Sequence, residues 1–297
     1  MSDSMGRRLQ TSREAGVLFV VAGVLFAGLC PAGDAPYATP RLIRYSFTLQ
    51  NPTHKQVSRA VLEAYVPVKR TATQMCRDVD VSHPFTLEQD TLGNQAVMIV
   101  FSNLPPYSVK LVTIEARLRL AARPVSLGPA DRDWLAAGRY IETDNKRFEQ
   151  LAPSLPADET DAEHANRILR WVRRHVRDTG YCRRPRGALY ALESRQGDCT
   201  EMMYLFVALC RRAGIPARGV GGYVYGRDAV LSPSAYHNWA EFQADGVWCL
   251  ADPSGNVFCP EGTTHLATRI IAGGGDDLLG DFPRFRYRPQ TLKVRMN

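Results

Sequence analysis

The dipeptide Asp245-Gly246 stands between two aromatic-rich runs, Tyr236-His237-Asn238-Trp239-Ala240-Glu241-Phe242 and Trp248-Cys249-Leu250-Ala251-Asp252-Pro253. Asp-Gly in such a setting is a strong short-range signal for a β-hairpin, because both residues tolerate the positive φ of a tight two-residue turn. A turn centred there fixes the register. It sets Trp239 opposite Asp252 and His237 opposite Ser254. His237 and Asp252 become diagonal neighbours on one face, with Cα atoms about 7–8 Å apart, near enough for an imidazole to meet a carboxylate. A slip of one residue would send them to opposite faces.

A histidine oriented by a carboxylate is the second half of a nucleophile, base and orienter set. The first half is offered by Gly197-Asp198-Cys199-Thr200-Glu201, which leads into the apolar run Met202-Met203-Tyr204-Leu205-Phe206-Val207-Ala208-Leu209-Cys210. Asp198 is a good N-cap, Glu201 completes a capping-box pair, and Gly214-Ile215-Pro216 ends the helix. Cys199 is thereby expected at the first helical position, where free backbone N–H groups and the helix dipole favour an anion, the form in which a thiol attacks a carbonyl. Met202, Phe206 and Leu209 share its face, so the helix should be largely buried.

The rest of the chain is organised around this pair. Leu42–Leu49, Val61–Pro67, Ala96–Phe101 and Val109–Leu120 read as short strands separated by Asn51-Pro52, Leu92-Gly93-Asn94 and Pro105-Pro106. They suggest an N-terminal β-sandwich over 36–122. Residues 123–158, with Pro124, Pro129, Pro153 and Pro156, read as a linker. The segment 159–272 is expected as the core that carries chemistry, and 273–297 as a C-terminal extension whose Gly273–Asp277 run lacks the strand and helix that frame a phosphate loop. Helical periodicity from Asp161 to about Arg177 buries Ala165, Ile168, Leu169, Val172 and Val176 and leaves an arginine-rich face to solvent.

Residues 1–35 are an address. Arg7, Arg8 and Arg13 precede an apolar run from Gly16 to Leu29 and then small residues, the pattern of a secretory signal peptide cleaved after Ala32 or Ala35. The expected location is secreted or periplasmic, with no stable membrane insertion after cleavage, since 14 apolar residues fall short of the ~20 that span a bilayer. Beyond Cys30 six cysteines remain, and in an oxidising compartment Cys249 with Cys259 is the expected disulfide. With 45% hydrophobic and 23% charged residues over 297 positions, the composition is that of a folded protein. The net charge of +7 suits acidic partners but forms no stripe that would indicate nucleic acid.

The motifs in order, Gly197–Glu201, Gly214-Ile215-Pro216-Ala217-Arg218, Gly221-Gly222-Tyr223, His237–Glu241 and Ala251-Asp252-Pro253-Ser254, resemble those of bacterial transglutaminase-like proteins within the papain-like cysteine enzyme superfamily. The resemblance covers about 160–260. It implies an α+β fold, with the N-terminal β-sandwich followed by a core in which a helix packs on an antiparallel sheet. It further implies a catalytic triad of Cys199, His237 and Asp252, acting on protein or peptide amides, those of the cell envelope included, through a thioester. Asn238 and Trp239 are candidate substrate contacts, and the Cys199 N–H is a candidate oxyanion donor with Trp171, Tyr181 or Gln196 as the second. Arg218 is expected in a buried ion pair. No cofactor and no metal are expected, and no calcium loop is present. Water would resolve the thioester in a protease or amidase, an amine in a transferase, and the same triad serves both. A non-catalytic envelope scaffold and a zinc site built on Cys199, His237 and Asp252 are the competing readings.

Overall fold

Alternating burial carries the first part of the chain into strands. In β1 (Thr39–Gln50) Ile43, Tyr45, Phe47 and Leu49 are buried while Arg44, Ser46 and Thr48 between them face outward, the period-two pattern of a half-buried strand. The computed structural model describes residues 36–151, 155, 160–225, 227–262, 264–273, 278–280 and 284–297. The expected signal peptide and residues 274–277 of the glycine run lie outside the described residues. After β1 come β2 (Val57–Val66), β3 (Gln74–Val81), β4 (Phe85–Gln89), β5 (Gln95–Leu104) and β6 (Val109–Leu120).

The core follows as α1 (Lys146–Leu151), α2 (Asp161–His175), β7 (Arg177–Asp178), α3 (Gly187–Ser194), β8 (Gln196–Gly197) and α4 (Cys199–Arg212). Then come β9 (Ala217–Val224), β10 (Ala229–Val230), β11 (Tyr236–Ala244), β12 (Val247–Asp252), β13 (Val257–Phe258) and β14 (His265–Ile271). Two short strands, β15 (Phe285–Arg288) and β16 (Lys293–Met296), come last in order.

The fold is α+β, as expected. One sandwich sheet runs β10-β1-β6-β3 with β16 also paired to β1, and the other runs β15-β2-β5-β4. Their facing residues, among them Phe47, Leu62, Ile99 and Ile114, form one apolar cluster. Strands β15 and β16 pair antiparallel with β2 and β1. The segment expected as a C-terminal extension therefore completes both sheets, and the sandwich is not confined to 36–122. Residues 123–158 also do more than link. Ile141 and Phe148 are buried with the core helices, because an apolar side chain next to an incomplete core gains more by packing than by solvation.

The central sheet has the order β13-β12-β11-β9-β14. Helix α4 covers one face, where Met203 and Phe206 meet Ala217, Ala240 and Phe242. On the other face Val220, Trp239, Leu250 and Ile270 pack with Val68 from the sandwich side. Being covered twice, β11 from Trp239 to Ala244 and β12 from Leu250 to Asp252 are buried without a break rather than alternating in burial. The sandwich also holds the β14 edge through two side-chain amides. Gln74 accepts from the Ala267 N–H (2.9 Å) and donates to its carbonyl (2.8 Å). Asn94 does the same for Ile270 (2.6 and 3.0 Å), so a strand edge that would otherwise lack partners is satisfied.

Candidate active site

Helix α4 starts where the capping pattern requires. Asp198 accepts from the Thr200 N–H (2.7 Å), and Glu201 reaches back to the Asp198 N–H (3.1 Å). Glu201 is wholly buried and is held by Arg186 through its guanidinium (3.1 Å) and its backbone N–H (2.9 Å). The second Asp198 oxygen takes the Cys182 N–H (2.8 Å). These bonds fix the turn before α4, leaving Cys199 at the first helical position and partly exposed. At that position the backbone N–H has no partner within the helix.

The hairpin has the register read from Asp245-Gly246. Ala240 pairs with Ala251 and Phe242 with Cys249, and the turn residues have φ of 50° and 75°. His237 and Asp252 consequently share a face, and His237 Nε2 lies 2.8 Å from Asp252 Oδ2. The imidazole also hydrogen-bonds Cys199, which leaves Nδ1 as the nitrogen for sulfur. The structure thus brings Cys199, His237 and Asp252 together. Asp252 is almost completely buried, while the His237 side chain is 19% exposed, so the acid is shielded and the base can be reached.

The loop after β12 is built around Asp252. Its Oδ1 accepts from the Gly255 N–H (2.8 Å), and a Cβ at Gly255 would collide with Asp252 Oδ2, so no larger residue fits there. Arg173 on α2 donates to the Pro253 carbonyl (3.2 Å), tying the loop to the helical layer. Cys249 and Cys259, the expected disulfide, meet as two thiols in a shared hydrogen bond. That bond draws the Cys249 thiol down and pushes Cys259 up, because an S–H donated by Cys259 favours a thiolate at Cys249 and is lost when Cys259 itself ionises.

Burial works against a charged His237. The hydrogen bond to Asp252, then that to Cys199, and the fields of both outweigh it and raise the imidazole to about 10. Burial would likewise raise Asp252, but hydrogen bonds from His237 and His265, the His237 charge and the Gly255 N–H hold it well below the usual carboxylate range. Because the folded His237 lies above the ~6.5 of free imidazole, its contribution to stability is complete below that value and is lost as pH rises through about 10. Asp252 is depressed, so its contribution is present above the ~3.9 of a free carboxylate and is lost as pH falls below it.

Asn238 donates to Thr200 Oγ1 (2.9 Å) and lines an open cavity of about 310 Å³ beside the triad. Trp239 differs from its expected place at the substrate. It is 1% exposed and lies behind the histidines, stacked on His237 at 6.5 Å and edge-on to His265 at 4.9 Å. Of the three side chains considered as second oxyanion donors, Tyr181 lines the cavity, whereas Trp171 stacks on His175. Arg218 forms the expected buried ion pair, with Glu241.

His265 is a site residue without a sequence signal. It is buried, and its Nε2 lies 3.4 Å from Asp252 Oδ2. It enters by way of β14, which pairs with β9 rather than with β12, so no local spacing connects it to Asp252. His265 is placed to position Asp252. His265→Phe is expected to lower kcat about tenfold, and to move the acid limb of the kcat/KM profile to higher pH, because the carboxylate loses a donor. An unmoved acid limb would reduce His265 to packing. His237, Asp252 and His265 also offer ligand atoms all within 4.8 Å of one another. A cation could take this set only by breaking the 2.8 Å bond that orients His237, so the arrangement suits proton transfer better than metal binding.

A partly exposed cysteine opening a buried helix, facing an imidazole and carboxylate on the adjoining antiparallel sheet, defines a transglutaminase-like core. Residues 149–253 match the model of the Transglutaminase-like superfamily, and the chain carries that domain. The fold is also that of a candidate cysteine protease from Cytophaga hutchinsonii, which is 17% identical with a TM-score of 0.59, over 87% of this chain and 89% of that one. The periplasmic domain of TgpA from Pseudomonas aeruginosa is 15% identical, with a TM-score of 0.36 over 70% of this chain and 87% of that one. Among curated protein sequences none matches this chain.

Proposed function

We propose that the protein is an exported cysteine enzyme that opens protein or peptide amides through a thioester on Cys199, with water or an amine as the second substrate. The observation that carries this reading is the continuous line of hydrogen bonds from Cys199 through His237 to Asp252. Export rests on the signal-peptide pattern of residues 1–35. Among the described residues no helix is long and apolar enough to cross a membrane.

Imidazolium at His237 stabilises a thiolate at Cys199, and the sulfur adds to the amide carbonyl. The electron pair of the C=O bond moves to oxygen, where the Cys199 N–H donates to it. As the oxyanion collapses the C–N bond breaks, His237 gives its proton to the departing amine, and the thioester remains. His237 then takes a proton from water or an amine, which attacks the thioester and expels the thiolate. Asp252 keeps Nδ1 directed at sulfur throughout.

Iodoacetamide labelling of Cys199, followed by mass spectrometry across pH, tests the reading. The rate at pH 6 is expected within about tenfold of the rate at pH 9, and His237→Ala should slow labelling at pH 6 by at least about tenfold. Labelling that rises only near the ~8.5 of a free thiol, in both proteins, would overturn the enzyme reading and favour a binding scaffold. With substrate, activity should fall as pH rises through about 10, where His237 loses the proton that the leaving amine requires.

A further inference from the structure

We propose that the cavity beside the triad is a subsite for a carboxylate, and that the favoured substrates carry an acidic side chain or a free carboxylate close to the scissile amide. This rests on the reading of Cys199 as the nucleophile. The cavity, of about 310 Å³, is bounded on the triad side by Thr200 and Asn238, the residues that directly follow Cys199 and His237. Their mutual hydrogen bond makes that wall rigid. Three guanidinium groups line the same space, from Arg183, Arg269 and Arg284, and none of the described lining residues is an aspartate or glutamate.

The arginines are held in different ways. Arg269 on β14 is buried, with its guanidinium 5.6 Å from the centre of the Tyr65 ring. Arg284 donates to the Pro233 carbonyl (3.0 Å) and lies 4.7 Å over the ring of Tyr236, itself a lining residue. Arg183 is exposed, at the solvent side. Fixed guanidinium groups among tyrosine and proline walls act through a low local dielectric and match the planar fork of a carboxylate. A volume of this size is at the lower end for a small-molecule site, enough for one or two amino-acid residues. The net charge of +7 favours the approach of acidic ligands from a distance.

The test uses two Cys199 reagents that differ only in charge, N-iodoacetylglycine and its primary amide, with labelling rates read by mass spectrometry. Attraction of the acid by His237 is common to all proteins compared, so the quantity of interest is the acid-to-amide rate ratio. Arg183→Gln and Arg284→Gln are expected to lower that ratio, together by roughly tenfold at low salt, and 0.5 M salt should do the same to the unaltered protein by roughly as much. Since Arg284 is bonded within the fold, exposed Arg183 provides the variant that leaves folding intact. An unchanged ratio in both variants overturns the subsite. Failure of the catalytic reading is seen separately, as slow labelling by both reagents. In that case calorimetry on Cys199→Ala decides, with N-acetylglycylglutamate against its diamide. Tighter binding of the acid, weakened by Arg183→Gln, keeps the subsite without catalysis, and equal binding removes it.

Discussion

Cys199→Ala is expected to lose amide cleavage and acyl transfer by about 10⁴-fold or more, His237→Ala by a comparable factor, and the double variant by no more than either alone. The shared loss follows from the site's connectivity. Cys199 bonds to His237, and His237 Nε2 to Asp252 at 2.8 Å, so removing the sulfur leaves the base nothing to activate and removing the base leaves the sulfur without its proton acceptor. Asp252→Ala should fall less, since the imidazole keeps its place on β11 but loses the bond that selects its orientation. Release of amine from a peptide pool, followed by mass spectrometry, measures all four proteins. Additive losses in the double variant would mean that the two groups act independently, and more than a tenth of the activity in Cys199→Ala would mean that the nucleophile lies elsewhere. Cys199 is small and partly exposed, so loss of fold is not expected to confuse the comparison.

Arg218→Met is expected to cost about 3–5 kcal/mol of stability, the usual penalty for leaving a buried charge without its partner. Arg218 and Glu241 face each other across β9 and β11, with side chains 7% and 6% exposed. Both Nε (2.8 Å) and Nη2 (2.7 Å) of the arginine donate to one carboxylate oxygen of Glu241. Its guanidinium also lies 4.1 Å over the Trp248 ring, with Trp134 beyond at 5.5 Å. Replacing both charges, Arg218→Met with Glu241→Leu, should recover most of the loss, because a well-packed apolar pair can replace a buried ion pair at little cost. Urea unfolding gives the comparison directly. A single variant that loses under about 1 kcal/mol would show that solvent reaches Glu241.

Much of this was legible where one local rule acts alone. The Asp245-Gly246 turn determined the register that joins His237 to Asp252, and the Asp198 and Glu201 pair determined where α4 begins. Strands β1, β2, β5 and β6 carried their own apolar periodicity. By contrast β4 is almost wholly exposed, and β3 mixes Arg77, Asp78 and Asp80 with its buried end, so both depend on a neighbouring strand for their conformation. Trp239 gave the same aromatic signal as a substrate wall would, and only the position of Val68 beyond the sheet reveals that its face is covered. His265 and Arg269 lie on β14, which only the pairing of β9 with β11 on one side and β14 on the other brings to the triad, while Arg284 comes from just before β15 and Arg183 from the loop before α3.

The pairing of β15 and β16 with β2 and β1 bears on the order of events during synthesis. The two earliest strands acquire these neighbours only after more than two hundred residues have followed them. Until then one edge of each sheet can receive a strand from another molecule, the usual route to aggregation. Closing so long a loop is entropically costly and slows the step. A chain threaded through a membrane while unfolded defers all such contacts until both ends of the sandwich are on the same side, so export before folding would shorten the time for which those edges stand open.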